Sequence, residues 1–157
     1  MLKYYNWDIV FQEIPGETTL ALNITGCPFR CEGCHSPHLR EDIGEPLTRE
    51  ALSSICDRYK GDFTCVAIMG GDAQPLEVAR IAGIIKHDMG LRSAWYSGAA
   101  ELAAGVDVSN FDFIKIGPYQ AENGGLKSET TNQRLYRIEA DGSMTDITAK
   151  IREKHFQ

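Results

Sequence analysis

Three of the five cysteines fall in one short loop, Cys27-Pro28-Phe29-Arg30-Cys31-Glu32-Gly33-Cys34, and no other stretch restricts the fold as strongly. At C-x3-C-x2-C spacing three thiolates can converge on one side of a small inorganic cluster, because each short link curls the chain back and Gly26 and Gly33 remove side-chain bulk. The loop follows at once on the β-prone run Thr18-Thr19-Leu20-Ala21-Leu22-Asn23-Ile24. The thiolates therefore sit at the carboxyl end of a strand, where α/β proteins carry their sites. An electron-transfer cluster normally takes four cysteine ligands, so three leave one iron open to a ligand that is not protein. Spacing alone also admits a tetrahedral zinc site completed by His35 or His38, although zinc modules usually present two separated ligand pairs.

Around this loop the chain alternates β-prone and helical segments. Asp8 to Ile14 and Thr18 to Ile24 predict two adjacent strands separated by the turn Pro15-Gly16-Glu17. Thr48, followed by Glu50, Ala51 and Leu52, marks a helix start, and Leu52, Ile55, Cys56 and Tyr59 recur at helical spacing. Phe63 to Met69 is a nearly continuous apolar run, as in a parallel strand covered on both faces by helices. Pro75 to Met89 carries Leu76, Ala79, Ile81, Ala82, Ile84 and Ile85 on one helical face, and Gly90 stops it. Leu91 to Gly98 and Phe111 to Pro118 predict two further strands with a short crossover between them. Ala121 to Thr131 reads as an exposed loop, and Ala140-Asp141-Gly142 as the turn of a C-terminal β-hairpin. Four or five βα units are too few for a closed barrel of about 250 residues. The expected fold class is thus α/β, an open partial (β/α) barrel with a mostly parallel sheet, built as one domain over residues 1–157.

Composition narrows the function classes. No segment approaches the roughly 20 apolar residues of a membrane span, and the first residues lack the pattern of a secretory signal, so a cytoplasmic protein is expected. The odd cysteine count suits a reducing compartment with thiols kept for metal. Cys56 and Cys65 stand apart in apolar contexts and read as core. A net charge of −6 without a basic patch speaks against nucleic-acid binding.

A second signal lies at the end of the central apolar run, where Gly70-Gly71 allows a ligand to approach backbone amides and carbonyls and Asp72 is available for a cationic group. Trp95, Tyr96 and Ser97 end the next strand, suited either to a ribose contact or to core packing. Lys115, between Ile114 and Ile116, faces away from its apolar neighbours, toward either a solvated outer face or a cofactor cavity. His87 and His155 need no function.

Together the C-x3-C-x2-C loop and the Gly-Gly-Asp strand end resemble those of the radical S-adenosylmethionine enzymes. The loop's Gly-Cys ending, the short length and Thr131-Asn132-Gln133 resemble, within that superfamily, the activating components of anaerobic ribonucleotide reductases. The resemblance implies that Cys27, Cys31 and Cys34 hold three irons of a [4Fe–4S] cluster while S-adenosylmethionine chelates the fourth. It further implies that Gly33, Cys34 and His35 line the adenine side and that the glycine-rich strand end Gly70-Gly71-Asp72 meets the methionyl group; Ser97 and Lys115 are further candidates for the cofactor site. Many relatives have an aromatic residue at the place of Gly33, which shifts cover of the base to His35 or Phe29, and glutamate at the place of Asp72. The implied activity is reductive cleavage of S-adenosylmethionine to a 5′-deoxyadenosyl radical, which leaves a glycyl radical on a large partner enzyme. A flavodoxin- or ferredoxin-type protein would supply the electron. A small-molecule radical enzyme of the deazapurine-synthase kind, and a zinc-binding interaction module, are the alternatives.

Overall fold

The structure, a computed structural model, describes residues 2–26 and 43–152. Among these residues eight strands form one open sheet in the order β3-β1-β2-β4-β5-β6-β7-β8: β1 (Lys3–Val10), β2 (Thr19–Ile24), β3 (Glu45–Pro46), β4 (Cys65–Met69), β5 (Arg92–Tyr96), β6 (Phe113–Ile116), β7 (Arg134–Ile138) and β8 (Met144–Asp146). Helix α1 (Arg49–Arg58) precedes β4 and α2 (Pro75–Gly83) follows it. Among the described residues no helix is long and apolar enough to cross a membrane.

The α/β class and the open sheet agree with expectation; a mostly parallel sheet does not. Only the core β2-β4-β5-β6 is parallel, and the four other pairings, β3-β1, β1-β2, β6-β7 and β7-β8, are antiparallel. The reason is local. Parallel neighbours need a crossover, supplied by α1 between β2 and β4, by α2 between β4 and β5, and by the 97–112 link with its single 3-10 turn between β5 and β6, whereas the 11–18, 117–133 and 139–143 links carry no helix and return the chain antiparallel beside its neighbour. The C-terminal hairpin β7-β8 forms as its Asp141-Gly142 turn predicts, with Asp141 Oδ1 accepting from the Ser143 amide at 2.9 Å.

The first strand also differs. It spans Lys3–Val10 rather than Asp8 to Ile14, because pairing with β2 runs from Tyr4 opposite Ile24 to Val10 opposite Thr19, and the chain then bends through Phe11–Ile14. Helix α1 starts as expected: the Thr48 hydroxyl accepts from the Ala51 amide at 3.0 Å, and Leu52, Ile55 and Cys56 are buried. The second helical segment runs as α2 and then widens into a π-type turn, Ile84–Asp88. Leu76, expected on its apolar face, is 61% exposed, while Val78, Ile81 and Ala82 reach the core.

Strand alternation divides the core in two. Leu20, Leu22, Val66, Ile68, Trp95 and Ile114 pack with α1 and α2 on one face. Cys65, Ala67, Ala94, Phe113 and Leu135 form the other with Ile14, Ile147 and Ile151, so β4 has helices α1 and α2 on one face only. Among the described residues this second, inner face is covered by the β1-β2 link and by the segment that runs into the 3-10 turn Thr148–Arg152. Tyr96, Met69 and Leu126 pack at its margin.

Candidate functional site

All four parallel strands end at the same edge of the sheet, and their exits converge there. Thr25 and Gly26 follow β2, Gly70-Gly71-Asp72 follows β4, Ser97-Gly98 follows β5 and Gly117 follows β6. The β2-β4 register, with Asn23 opposite Met69, brings the first two exits side by side. Between them lies a cavity of about 350 Å³ lined by Leu2, Lys3, Thr25, Gly26, Gly71, Ala73 and Gln74.

The glycine pair is a built feature of this edge. Gly70 donates to Tyr96 O at 2.9 Å, and its own carbonyl accepts from the Trp95 indole at 2.7 Å, which fixes the β4 exit to β5. Gly71 has φ +86°, and a Cβ there would stand 2.6 Å from Val78 Cγ2 and 3.4 Å from Leu2 Cδ2. Only glycine gives both that backbone and that closeness. Its carbonyl accepts from the Gln74 amide at 2.9 Å, which turns the chain into α2.

Asp72 is tied to the next strand rather than left free. Its Oδ1 accepts from the Ser97 hydroxyl and its Oδ2 from the Gly98 amide at 3.0 Å. Ser97 is buried, and its Oγ also accepts from the Ala99 amide at 3.0 Å. Lys115 extends the belt. Its ammonium donates to Ser97 O at 2.8 Å and Gly117 O at 3.1 Å and lies 5.7 Å from the Tyr96 ring centroid. A solvated outer face for Lys115 is thereby corrected: the residue is 8% exposed, on the covered inner face with Phe113.

Sequence reasoning missed how the Thr131-Asn132-Gln133 segment joins this edge. Gln133 donates through Nε2 to Gly117 O at 3.2 Å and Asn132 through Nδ2 to Pro118 O at 3.0 Å. It also missed the Trp95 indole as the link to Gly70; a polar-tipped ring beside a strand end was the only available signal. Replacing Ser97 with alanine removes the hydroxyl that Asp72 and Ala99 share. The variant should lose on the order of 1–3 kcal/mol in urea denaturation, the usual cost of leaving buried partners unmet.

Cys27, Cys31 and Cys34, with Gly33, His35 and the alternatives Phe29 and His38, lie outside the described residues. Both ends of their loop are placed, however. Thr25 donates through its amide to Lys3 O at 2.9 Å and through its hydroxyl to Ile43 O at 2.6 Å, so one buried side chain holds the entry and the return together. The cysteine loop thus begins at the rim of the Gly71 cavity. Three cysteines in the segment between Gly26 and Ile43 are a donor set that suits an iron–sulfur cluster.

The remaining cysteines are of another kind. Burial, and then the Asp57 charge, push the Cys56 thiol up to about 11. Cys65 is pushed up further, first by burial and then by the charges of Glu17 and Asp112. Both are therefore thiols near neutrality, poor nucleophiles and poor metal ligands. In the folded protein Cys56 should resist iodoacetamide around neutral pH and react only as the pH approaches about 11, which peptide mapping by mass spectrometry will read. A raised thiol pKa also stabilises the fold below the ordinary thiol range, a contribution lost as the pH rises through about 11.

Comparison with known proteins adds one finding. A family model described as a 4Fe-4S single cluster domain matches residues 15–103, more than half of the chain, from the turn before β2 to just past Ser97-Gly98. No curated protein and no solved structure gives a significant match. The matched span holds the cysteine loop, the exits of β2 and β4 that flank the cavity and the Asp72-Ser97 tie, and the chain belongs to the 4Fe-4S single cluster domain family.

Proposed function

We propose that the protein is a radical S-adenosylmethionine activase that installs a glycyl radical on a large partner enzyme, an anaerobic ribonucleotide reductase. One observation carries this reading: the parallel β2-β4 pairing sets the mouth of the three-cysteine loop and the Gly71 backbone on one cavity. In it, Cys27, Cys31 and Cys34 hold the [4Fe–4S] cluster, and Gly33, Cys34 and His35 border the adenine. Bound together, cluster and S-adenosylmethionine supply one-electron reductive cleavage and the hydrogen-abstracting power that follows. The protein's own residues do the positioning. Gly70 and Gly71 offer unobstructed backbone to the methionyl group, and Asp72 acts through the strap it makes with Ser97 and Gly98. Lys115 holds the carboxyl ends of β5 and β6 at a fixed separation beside the same edge. An open sheet, in place of a closed barrel, would let a partner's loop enter beside the cofactor. The setting is cytoplasmic, with a flavodoxin- or ferredoxin-type reductant.

The test is to incubate reduced protein with S-adenosylmethionine and the candidate reductase and to follow the partner by electron paramagnetic resonance. A glycyl doublet on the reductase is expected. Cofactor cleavage without any radical on the partner would move the protein to the small-molecule class.

A further inference from the structure

The cavity beside Gly71 receives a hydrogen-bond donor from the backbone itself. Gly70 and Gly71 both have positive φ, +103° and +86°, and the peptide between them is trans. In a planar trans peptide the carbonyl and the N–H point in opposite directions. The Gly70 carbonyl is turned toward β5, where it accepts from the Trp95 indole at 2.7 Å. The Gly71 N–H is therefore turned toward β2, the side on which the cavity lies between the two strand exits. Strand alternation gives the same direction. The Cys65 amide donates to Thr18 O at 3.2 Å, on the β2 side, and the Gly70 amide to Tyr96 O at 2.9 Å, on the β5 side, so the next amide faces β2 again. The β2-β4 pairing ends at Asn23 and Met69, and among the described residues no group accepts from the Gly71 amide.

A donor at this place selects the chemistry of what it meets. An N–H fits a carboxylate oxygen and opposes an ammonium. Of the described residues that line the cavity only Lys3 is charged, and its charge is positive. Asp72, next along the chain, has its oxygens taken by Ser97 and Gly98. The orientation itself depends on Trp95. A peptide between two glycines turns over easily, since no Cβ on either side opposes rotation of its plane. The neighbouring bonds, from the Gly70 amide to Tyr96 O and from the Gln74 amide to Gly71 O, belong to the peptides before and after it. The indole alone holds the Gly70–Gly71 plane among the described residues, and Trp95 is itself fixed, 1% exposed and stacked on Phe111 at 5.8 Å between ring centroids. A turned-over peptide would present the Gly70 carbonyl to the cavity and favour an amine instead.

We propose that Trp95 is a positioning residue, whose indole holds the Gly70–Gly71 peptide in the orientation that presents the Gly71 amide to the carboxylate of an amino-acid ligand. That this ligand is S-adenosylmethionine rests on the activase reading; the pinned peptide does not. The first test needs no ligand. Gly70-Gly71 and Gly124-Gly125 are the only adjacent glycines in the sequence, so glycine labelled with carbon-13 at the carbonyl and with nitrogen-15 gives carbonyl-to-amide NMR signals for Gly71 and Gly125 alone. Trp95→Phe keeps a ring against Phe111 and removes the N–H. In that variant the heteronuclear NOE of the Gly71 amide should fall while that of Gly125 is unchanged. Benzothienylalanine at position 95, with sulfur in place of the indole N–H at nearly equal volume, should give the same fall without disturbing the fold.

Binding is then measured by anaerobic equilibrium dialysis on the oxidised, cluster-loaded protein, which turns nothing over. Either replacement should weaken S-adenosylmethionine on the order of tenfold, the scale of one charge-assisted hydrogen bond, and leave decarboxylated S-adenosylmethionine unchanged. A Gly71 amide as rigid in both variants as in the wild type would overturn the proposal, and so would equal weakening of the two compounds by the benzothienylalanine protein. A loosened Gly71 in variants of a protein whose wild type binds neither compound would uphold the positioning role and sink the activase reading alone.

Discussion

Replacing Cys31 with alanine abolishes bound iron and all cluster-dependent cleavage of S-adenosylmethionine, while replacing Cys56 leaves both intact; this is the expected result of a paired experiment under strict anaerobiosis. The division follows from chemistry. A cluster is held by thiolates, and with three cysteines in the loop the loss of one leaves too few ligands to retain it. Cys56 faces the helical core at 4% exposure, with its thiol pushed up to about 11, so it is protonated when the cluster assembles. Its loss should cost about 1 kcal/mol of stability through packing and nothing in iron content. Iron and acid-labile sulfide assays read both variants directly. Equal losses in the two would show that the cysteines were divided wrongly.

The second large effect is at Gly71. Gly71→Ala should lower stability by about 2–5 kcal/mol, the sum of a left-handed backbone forced on an L residue and a methyl group driven into a packed core. The added Cβ would meet Val78 Cγ2 at 2.6 Å, in the first turns of α2, so relief must move the helix or the β4 exit. Gly16→Ala supplies the control: its φ is also positive, at +80°, but nothing lies within 4 Å of a Cβ there. That variant should lose only the conformational share, about 1–2 kcal/mol. For a chain of this length the difference corresponds to a drop in melting temperature on the order of 10 °C. Similar losses at both positions would mean that the packing around Gly71 is loose.

Much of the fold was legible where a local signal and the tertiary structure agree. Thr48 caps α1 as its sequence context indicates, the apolar run at Cys65–Met69 is the buried centre of the sheet, and Asp141-Gly142 turns the final hairpin. The exit of β4 at Gly70-Gly71-Asp72 was legible for the same reason, since paired glycines after an apolar strand have few other uses.

What escaped the sequence depends on long-range partners. The residues Lys3-Tyr4-Tyr5-Asn6 become strand because β2 and β3 pair with them, a ladder that no local periodicity announces. Strand direction is likewise a matter of links, so the antiparallel flanks were hidden behind helices that suggested parallel neighbours. Periodicity gave the side on which Lys115 stands, yet its burial depends on the Ser97 and Gly117 carbonyls that accept hydrogen bonds from its ammonium. Asp72 looked free for a ligand amine until Ser97 and Gly98, brought over by the β4-β5 pairing, were seen to occupy its oxygens.

The central claim is that the loop at the end of β2 binds an iron–sulfur cluster that acts on S-adenosylmethionine beside Gly71. It is tested most directly on protein purified without oxygen, by metal and sulfide analysis followed by chromatography for 5′-deoxyadenosine after chemical reduction with S-adenosylmethionine. A brown protein containing iron and sulfide, releasing 5′-deoxyadenosine only when reduced, is the predicted result. Stoichiometric zinc, with no iron after anaerobic reconstitution and no cleavage product, would contradict it.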